Sequence, residues 1–350
     1  MEAWKSGTWN LELGTKMKAI VLPDYNANII RAMRSLEVKE LDIPQPKDKQ
    51  VLIKVKAAPC NPSDIAFMRG GYNIRKPVPA VMGFECTGTI VETGDDPAAM
   101  EMIGSRVSCF SQGIENGTWA EYFLTEYPNC LPVRDELDDD QAAAFCINPF
   151  TAYALYNMAV RKKVGAIIQN GASGQIGIFI RTLARQAKIP VINLVRKEEH
   201  INELSGQGEK FVLNLNDPDC DILLREKAGE LNATIAFDAV GGDGAGMILN
   251  AMPENSELVV YGGLSGKPLS LFNPLDIIFK AKTIRGFNLG DWKSEVGPEY
   301  FRKVSDELQE LLIKRFIYTR IQSSYSLEEV QKAIEAYIRN MSAGKIIFQP

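Results

Sequence analysis

A chain of 350 residues is long for one domain and comfortable for two, each able to bury its own core. With 24% charged residues, 45% hydrophobic residues and a formal net charge of −5, it offers no basic field for nucleic acid or for an anionic membrane. No apolar run approaches the roughly eighteen residues that cross a bilayer. Six cysteines, at 60, 86, 109, 130, 146 and 220, include no C-x-x-C pair, so they read as reduced, mostly buried thiols in a reducing compartment. The single histidine, His200, lies among charges and is expected in an exposed loop. Chemistry that needs a histidine base or several histidine ligands is therefore close to excluded.

Residues 1–16 lack the apolar core of a signal peptide and carry acids that a transit peptide avoids. With the cysteine usage, this leads to the expectation of a cytoplasmic protein. From Met17 the signals are β-like: Met17–Leu22, Val51–Ala58, Ile90–Gly94, Ile103–Cys109 and Trp119–Leu124 read as short strands divided by Gly and Pro. They predict a compact, barrel-like β domain over 17–140. Within it, the turn-rich stretch Cys60–Tyr72, with Pro77, Pro79 and Gly83–Gly88, is where substrate-facing groups are expected. An acidic start at Leu137–Asp140 then introduces a helix over Ala142–Val160.

The next stretch reads as one βαβ unit. Val164-Gly-Ala-Ile-Ile-Gln169 is a buried strand, and Asn170-Gly-Ala-Ser-Gly-Gln-Ile-Gly177 is a glycine turn. A helix follows with Ile176, Ile180, Leu183, Ala184 and Ala187 on one face, then Pro190 and a second strand, Val191–Val195. The pattern is G-x-x-G-x-x-G, a looser form of the dinucleotide fingerprint, and its strand–turn–helix setting gives it weight. Gly171, Ser173, Gly174 and Gly177 are the expected pyrophosphate contacts, at a helix N-terminus that favours negative charge. An NAD site usually ends its second strand with an acid for the ribose 2′-hydroxyl. Here Arg196 and Lys197 stand there instead, suited to a 2′-phosphate, so NADPH is the expected cofactor.

Strands and helices go on alternating. Strands are predicted at Phe211–Leu215, Ala233–Asp238, Leu258–Tyr261 and Thr283–Leu289, with helices at Asp219–Leu231 and Ala245–Ala251. The alternation predicts an α/β class, a doubly wound parallel sheet (Rossmann) over 141–289 beside the β-rich domain. Tyr261, Gly262 and Gly263 end a strand of that sheet and should line its ligand site. Helices over Pro298–Arg315 and Leu327–Asn340 precede a last strand, Gly344–Gln349, so that 290–350 is expected to return to the first domain.

Together these residues resemble a zinc-free medium-chain dehydrogenase/reductase, of the group that holds quinone oxidoreductases and 2-enoyl thioester reductases. The resemblance spans Met17–Pro350 and rests on Ala57–Ile65, Gly70–Tyr72, Gly83–Gly88, Asn148–Tyr153, Gly171–Gly177, Val195-Arg196 and Tyr261–Gly263. Phe279-Lys280, Ile284–Phe287 and Asp291-Trp292 are closer to the mitochondrial-type 2-enoyl thioester reductases. The resemblance implies a GroES-like catalytic domain and NADPH-dependent hydride transfer to an activated carbon–carbon double bond. A quinone acceptor, or an NADPH-binding protein with little catalysis, is the alternative. Tyr72 carries over as the catalytic hydroxyl, with Asn61 and Thr151 as polar groups over the cofactor. No metal is implied: the zinc members' ligand positions match Asn61, Phe84 and the neighbourhood of Ile147, although Cys60 and Cys146 stand one residue away. A homodimer joined through edge strands near Thr283–Leu289 is also implied, with a small-molecule partner (enoyl thioester or quinone) and neither nucleic acid nor membrane. For a thioester carried on CoA or acyl carrier protein, Arg69, Arg75 and Lys76 are candidates for a basic patch.

Overall fold

The computed structural model describes residues 14–113 and 116–350. The chain divides into two compact units, one formed by the chain up to Cys146 together with Thr319–Pro350, the other by Ile147–Tyr318.

The second unit carries six parallel strands: β1 (Ile167–Gln169), β2 (Val191–Val195), β3 (Phe211–Asn214), β4 (Ile235–Asp238), β5 (Glu257–Val260) and β6 (Thr283–Gly286). β1, β2 and β4 are buried along their whole length, which is why they read as unbroken apolar runs. The strand order is β3-β2-β1-β4-β5-β6. The order reverses between β1 and β4, and in such sheets the crevice at the carboxyl ends of those two strands is where ligands bind. The predicted doubly wound sheet is therefore present, with one face filled by Ile168, Ile192, Leu194, Leu224, Ile248 and Leu258.

Two expectations about helices in this unit needed correction. The helix after the glycine turn, Gln175–Gln186, buries Phe179 and Arg181, whereas Ala187 is exposed as its C-cap. Arg181 is drawn inward because its guanidinium donates to the Ala172 carbonyl of the turn and pairs with Glu209 at 3.5 Å. His200 is not in a loop. It sits on helix Glu198–Gly206, with its side chain 12% exposed and its Nδ1 3.5 Å from Glu203.

The unit boundaries also differ from those expected at 140/141 and 289/290. The continuous helix predicted over Ala142–Val160 is two helices, Asp139–Ala143 and Asn148–Lys162, and the division between units falls in the break, at Cys146/Ile147. Pro149 explains the break, since proline is tolerated in a helix's first turn but not in its interior. At the other end, helix Leu289–Ile313, kinked at Gly297 (φ 75°) before Pro298, stays with the nucleotide unit. It is held there by packing: Phe301 stacks on Phe150 at 4.6 Å, the Tyr153 hydroxyl donates to Glu307 at 3.2 Å, and Asn157 donates to the Tyr300 hydroxyl at 2.8 Å. Only the chain from Thr319 onward returns to the first unit.

The first unit is rich in antiparallel pairing. Gln50–Pro59 is its central strand, paired antiparallel with Glu85–Thr93, Tyr122–Glu126 and the closing strand Lys345–Phe348. Glu85–Thr93 pairs on with Arg106–Phe110, which pairs with Cys130–Pro132. The register Ile347↔Pro59 and Phe348↔Ala58 realises the predicted return of the C-terminal strand. A smaller sheet joins Glu37–Asp42, Lys16–Leu22 and Ala80–Val81. Trp119, Phe67, Phe84, Phe123 and Phe348 fill the core between them. The turn-rich segment also holds a helix, Pro62–Met68, started by Pro62 and by Asp64, whose carboxylate accepts the Asn61 backbone amide at 2.7 Å. It buries Ile65, Phe67 and Met68. All six cysteines are buried, and none is in a disulfide among the described residues. Among the described residues no helix is long and apolar enough to cross a membrane.

Candidate functional site

In the nucleotide unit the glycine turn leaves the end of β1 at the point where the strand order reverses. Gly171 adopts φ +58°, and a Cβ there would lie 3.2 Å from that of Ala239. A Cβ on Gly177 would come within 2.6 Å of the Ala172 carbonyl oxygen, so only glycine lets the helix approach the turn so closely. Ser173 is half-buried between them. Gly174 is the N-cap and brings no side chain to take the first-turn amides, which a helix cannot satisfy internally. A pyrophosphate would supply the missing acceptors, so the cradle fits a dinucleotide.

A network not anticipated from the sequence fixes this crevice. The Asn170 side chain donates to Asp238 at 2.5 Å and accepts the Ala239 amide at 2.7 Å. Asp238 in turn accepts the amides of Val240 and Gly241 at 2.9 and 3.0 Å, and its carbonyl takes the Tyr261 amide at 2.9 Å. The ends of β1, β4 and β5 are thus tied together, and Tyr261-Gly262 is placed beside them. Burial and the nearby Asp238 carboxylate push the Tyr261 phenol up, so it stays protonated. Gly263 is exposed beyond it. The signal for the network was an Asn before the glycines and an Asp before Gly241-Gly242, both legible as residues but not as partners.

The two cations after β2 play different parts. Lys197 caps helix Glu198–Gly206 and pairs with Glu199 at 2.9 Å. Arg196 is exposed, its carbonyl held by Asn216 at 2.8 Å, and among the described residues its guanidinium has no partner. Arg196 is thus the better-suited group for a 2′-phosphate. Thr151 is buried in helix Asn148–Lys162, its amide bonded to the Ile147 carbonyl at 2.9 Å.

In the first unit, Tyr72 packs half-buried on the core, its ring 5.6 Å from that of Phe84. Gln112 Nε2 donates to its hydroxyl at 2.5 Å. Burial, helped by the Asp64 carboxyl, pushes the phenol above its ordinary value. Phe84, at a position where zinc members carry histidine, is fully buried against Phe67. Asn61 is 2% exposed and engaged on both sides: its carbonyl accepts from Lys345 Nζ, and its amide donates to Glu85 at 3.0 Å. Among the described residues no group of three or more His, Cys, Asp or Glu side chains could hold a metal ion. Lys76 is not a surface cation as expected. It is buried, bonded to the Asn116 carbonyl and set over the rings of Phe67 and Phe84, and burial lowers its amine to about 8. Arg69 and Arg75 are exposed, the first donating to the Ala27 carbonyl at 3.0 Å, the second stacked on Tyr25.

Asp64 is a strongly perturbed carboxyl of this cluster. It is fully buried, one of its oxygens has no partner among the described residues, and burial raises it to about 7 against the opposing pull of Lys345 and Lys76. An unfolded Asp titrates near about 3.9. Between those values the native state keeps a proton that the unfolded chain has released, so stability falls as pH rises from about 4 to about 7 and then levels. Asp64→Asn removes this dependence. Denaturant unfolding at several pH values should show the variant gaining on the wild type across that window, by on the order of 4 kcal/mol at most. Parallel curves would show Asp64 to be ionised throughout.

Comparison with known proteins agrees with both units. Residues 47–135 match the family model "Alcohol dehydrogenase GroES-like domain", and residues 176–310 match "Zinc-binding dehydrogenase". The mitochondrial enoyl-[acyl-carrier-protein] reductase of Arabidopsis thaliana is 33% identical over 278 residues, covering 75% of this chain and 70% of the relative. The Homo sapiens enzyme of the same name is 27% identical over 320 residues, covering 89% and 84%. A solved structure from Mesorhizobium loti, assigned as an NADPH:quinone reductase, is 32% identical with a TM-score of 0.90, covering 97% of this chain and 99% of that one. With a GroES-like unit, a doubly wound nucleotide unit and relatives of this identity and extent, the chain belongs to the medium-chain dehydrogenase/reductase family, in the group of enoyl thioester and quinone reductases.

Proposed function

We propose that the chain is an NADPH-dependent reductase of activated carbon–carbon double bonds, with 2-enoyl thioesters as its substrate class and no catalytic metal. The observation that carries the reading is Tyr72, a phenol kept protonated by burial and held by Gln112 on a rigid aromatic platform. When bound, NADPH supplies a hydride from C4 of its nicotinamide. The turn Gly171–Gly177 binds the pyrophosphate, and Arg196 binds the 2′-phosphate. Addition at the β-carbon of an enoyl thioester builds negative charge on the thioester oxygen. The Tyr72 hydroxyl donates to that oxygen and supports protonation, a contribution of about a hundred- to ten-thousand-fold. The relatives named as enoyl-[acyl-carrier-protein] reductases support this substrate class.

The Mesorhizobium loti neighbour favours a second reading, quinone reduction with the same cofactor. That reaction does not require the Tyr72 proton. The six buried cysteines, none in a disulfide among the described residues, suit a reducing compartment, and the cytoplasm is the location proposed.

A homodimer is the assembly proposed. β6 is an edge strand with all four residues exposed, and the preceding helix Pro274–Phe279 exposes Leu275, Ile278 and Phe279, the last at 76%. A second copy pairing at this edge covers both. Sedimentation equilibrium should return twice the chain mass, and a monomer at micromolar concentration would remove the dimer from the account.

Two substitutions test the chemistry. With crotonyl-CoA as acceptor, Tyr72→Phe should lower kcat by about a hundredfold or more, read as loss of absorbance at 340 nm. Turnover of a small quinone alone, indifferent to Tyr72→Phe, would overturn the enoyl reading in favour of the second. Arg196→Asp should raise the KM for NADPH by about ten- to a hundredfold while leaving that for NADH unchanged or lower, as expected for loss of one charge-assisted bond. Equal effects on both cofactors would place the 2′-phosphate elsewhere.

A further inference from the structure

A phenol oxygen can accept two hydrogen bonds and donate one. At Tyr72 an acceptor position is taken by Gln112, whose Nε2 donates to the oxygen at 2.5 Å. Ser63, on helix Pro62–Met68, acts on the same phenol in the direction of a donor, opposing the effect of burial. Among the described residues no hydrogen bond donated by the Tyr72 hydroxyl is found. Gln112 is itself held in place: the amide of Ser111, one residue before it, bonds to the Phe84 carbonyl at 3.0 Å, and the Gly113 amide bonds to the Ser111 hydroxyl at 3.2 Å. The residue that donates to Tyr72 is thus anchored to the chain at Phe84, the ring against which Tyr72 packs.

We propose that Gln112 is a positioning residue that turns the Tyr72 hydroxyl hydrogen away from the protein and leaves it for the substrate oxygen. The inference rests on the enoyl reductase reading above and names what prepares its proton donor. A donor directed at the phenol oxygen also stabilises the phenolate left by proton transfer. Gln112 and Ser63 both act in that direction, against burial and the Asp64 carboxyl.

Glutamate and leucine at position 112 separate this role from simple packing. Gln112→Leu removes the donor, and kcat with crotonyl-CoA should fall about ten- to a hundredfold while KM changes little. Gln112→Glu keeps the shape. As a carboxylate it can only accept and draws the Tyr72 proton to itself, whereas once protonated it can donate again. Its kcat should therefore match that of Gln112→Leu at about pH 8 and rise several-fold above it as the pH falls to about 5. Asp64 and Lys76, the other titrating groups nearby, are common to both variants and cancel in that ratio. Thermal unfolding and NADPH titration by fluorescence check that each variant is folded, and the near-isosteric glutamate carries the test should leucine unfold the chain. A kcat for Gln112→Leu within about twofold of wild type, or a ratio between the variants that is flat with pH, would overturn the proposal. Tyr72→Phe in the same assay separates the two levels. If it keeps wild-type turnover, the enoyl reading fails and the positioning role with it. If it collapses while Gln112→Leu does not, only the positioning role fails.

Discussion

A buried cation governs the architecture around the proposed proton donor. Lys345 is 4% exposed, and burial lowers its pKa, since an ammonium group loses its hydration there. Its charge is tolerable because the Asn61 carbonyl accepts from it and the Glu85 and Asp64 carboxyls lie close enough to favour it. Asn61 bridges to Glu85 with its own amide. Three segments far apart in the chain, the start of helix Pro62–Met68, the start of strand Glu85–Thr93 and the closing strand, are locked by one requirement. A buried charge stripped of its partners costs several kcal/mol. The platform that carries Phe67, Phe84 and Tyr72 is built on those first two segments.

The nucleotide unit solves a different problem in the same way. A parallel sheet whose order reverses opens a crevice between β1 and β4, where ligands bind. Asn170 and Asp238 fix it by a buried bond between the two strand ends, and the same carboxylate organises the turn before the next helix. The glycine turn is braced from its far side by Arg181. Rigid placement of donors before any ligand arrives is the condition under which electrostatic stabilisation is effective.

Much of this was legible in the sequence because it is local. Continuous apolar runs marked β1, β2 and β4, the glycines marked the turn, and Arg196 in place of an acid marked the choice of dinucleotide by charge alone. What was missed is what depends on distant partners. Lys345 reads as an ordinary lysine at the start of a strand, and nothing near it shows that the Asn61 carbonyl, 284 positions away, accepts its hydrogen bond. Lys76 looks like a surface charge among prolines until Phe67 and Phe84 enclose it. The helix Pro62–Met68 was hidden by the turn-forming Asn-Pro-Ser-Asp run that starts it, since the same residues favour a turn and a helix N-terminus. Helix Leu289–Ile313 reads as part of the returning segment, but its allegiance is set by Phe150, not by its own sequence.

The central claim is that a hydride goes to carbon and a proton follows from the protein side. It is tested most directly by tracing both. With crotonyl-CoA and NADPH deuterated at the transferred position of C4, in ordinary water, the account predicts a saturated thioester with one deuterium at the β-carbon and a solvent-derived hydrogen at the α-carbon. Recovery of crotonyl-CoA unreduced, or deuterium at the α-carbon, would contradict it.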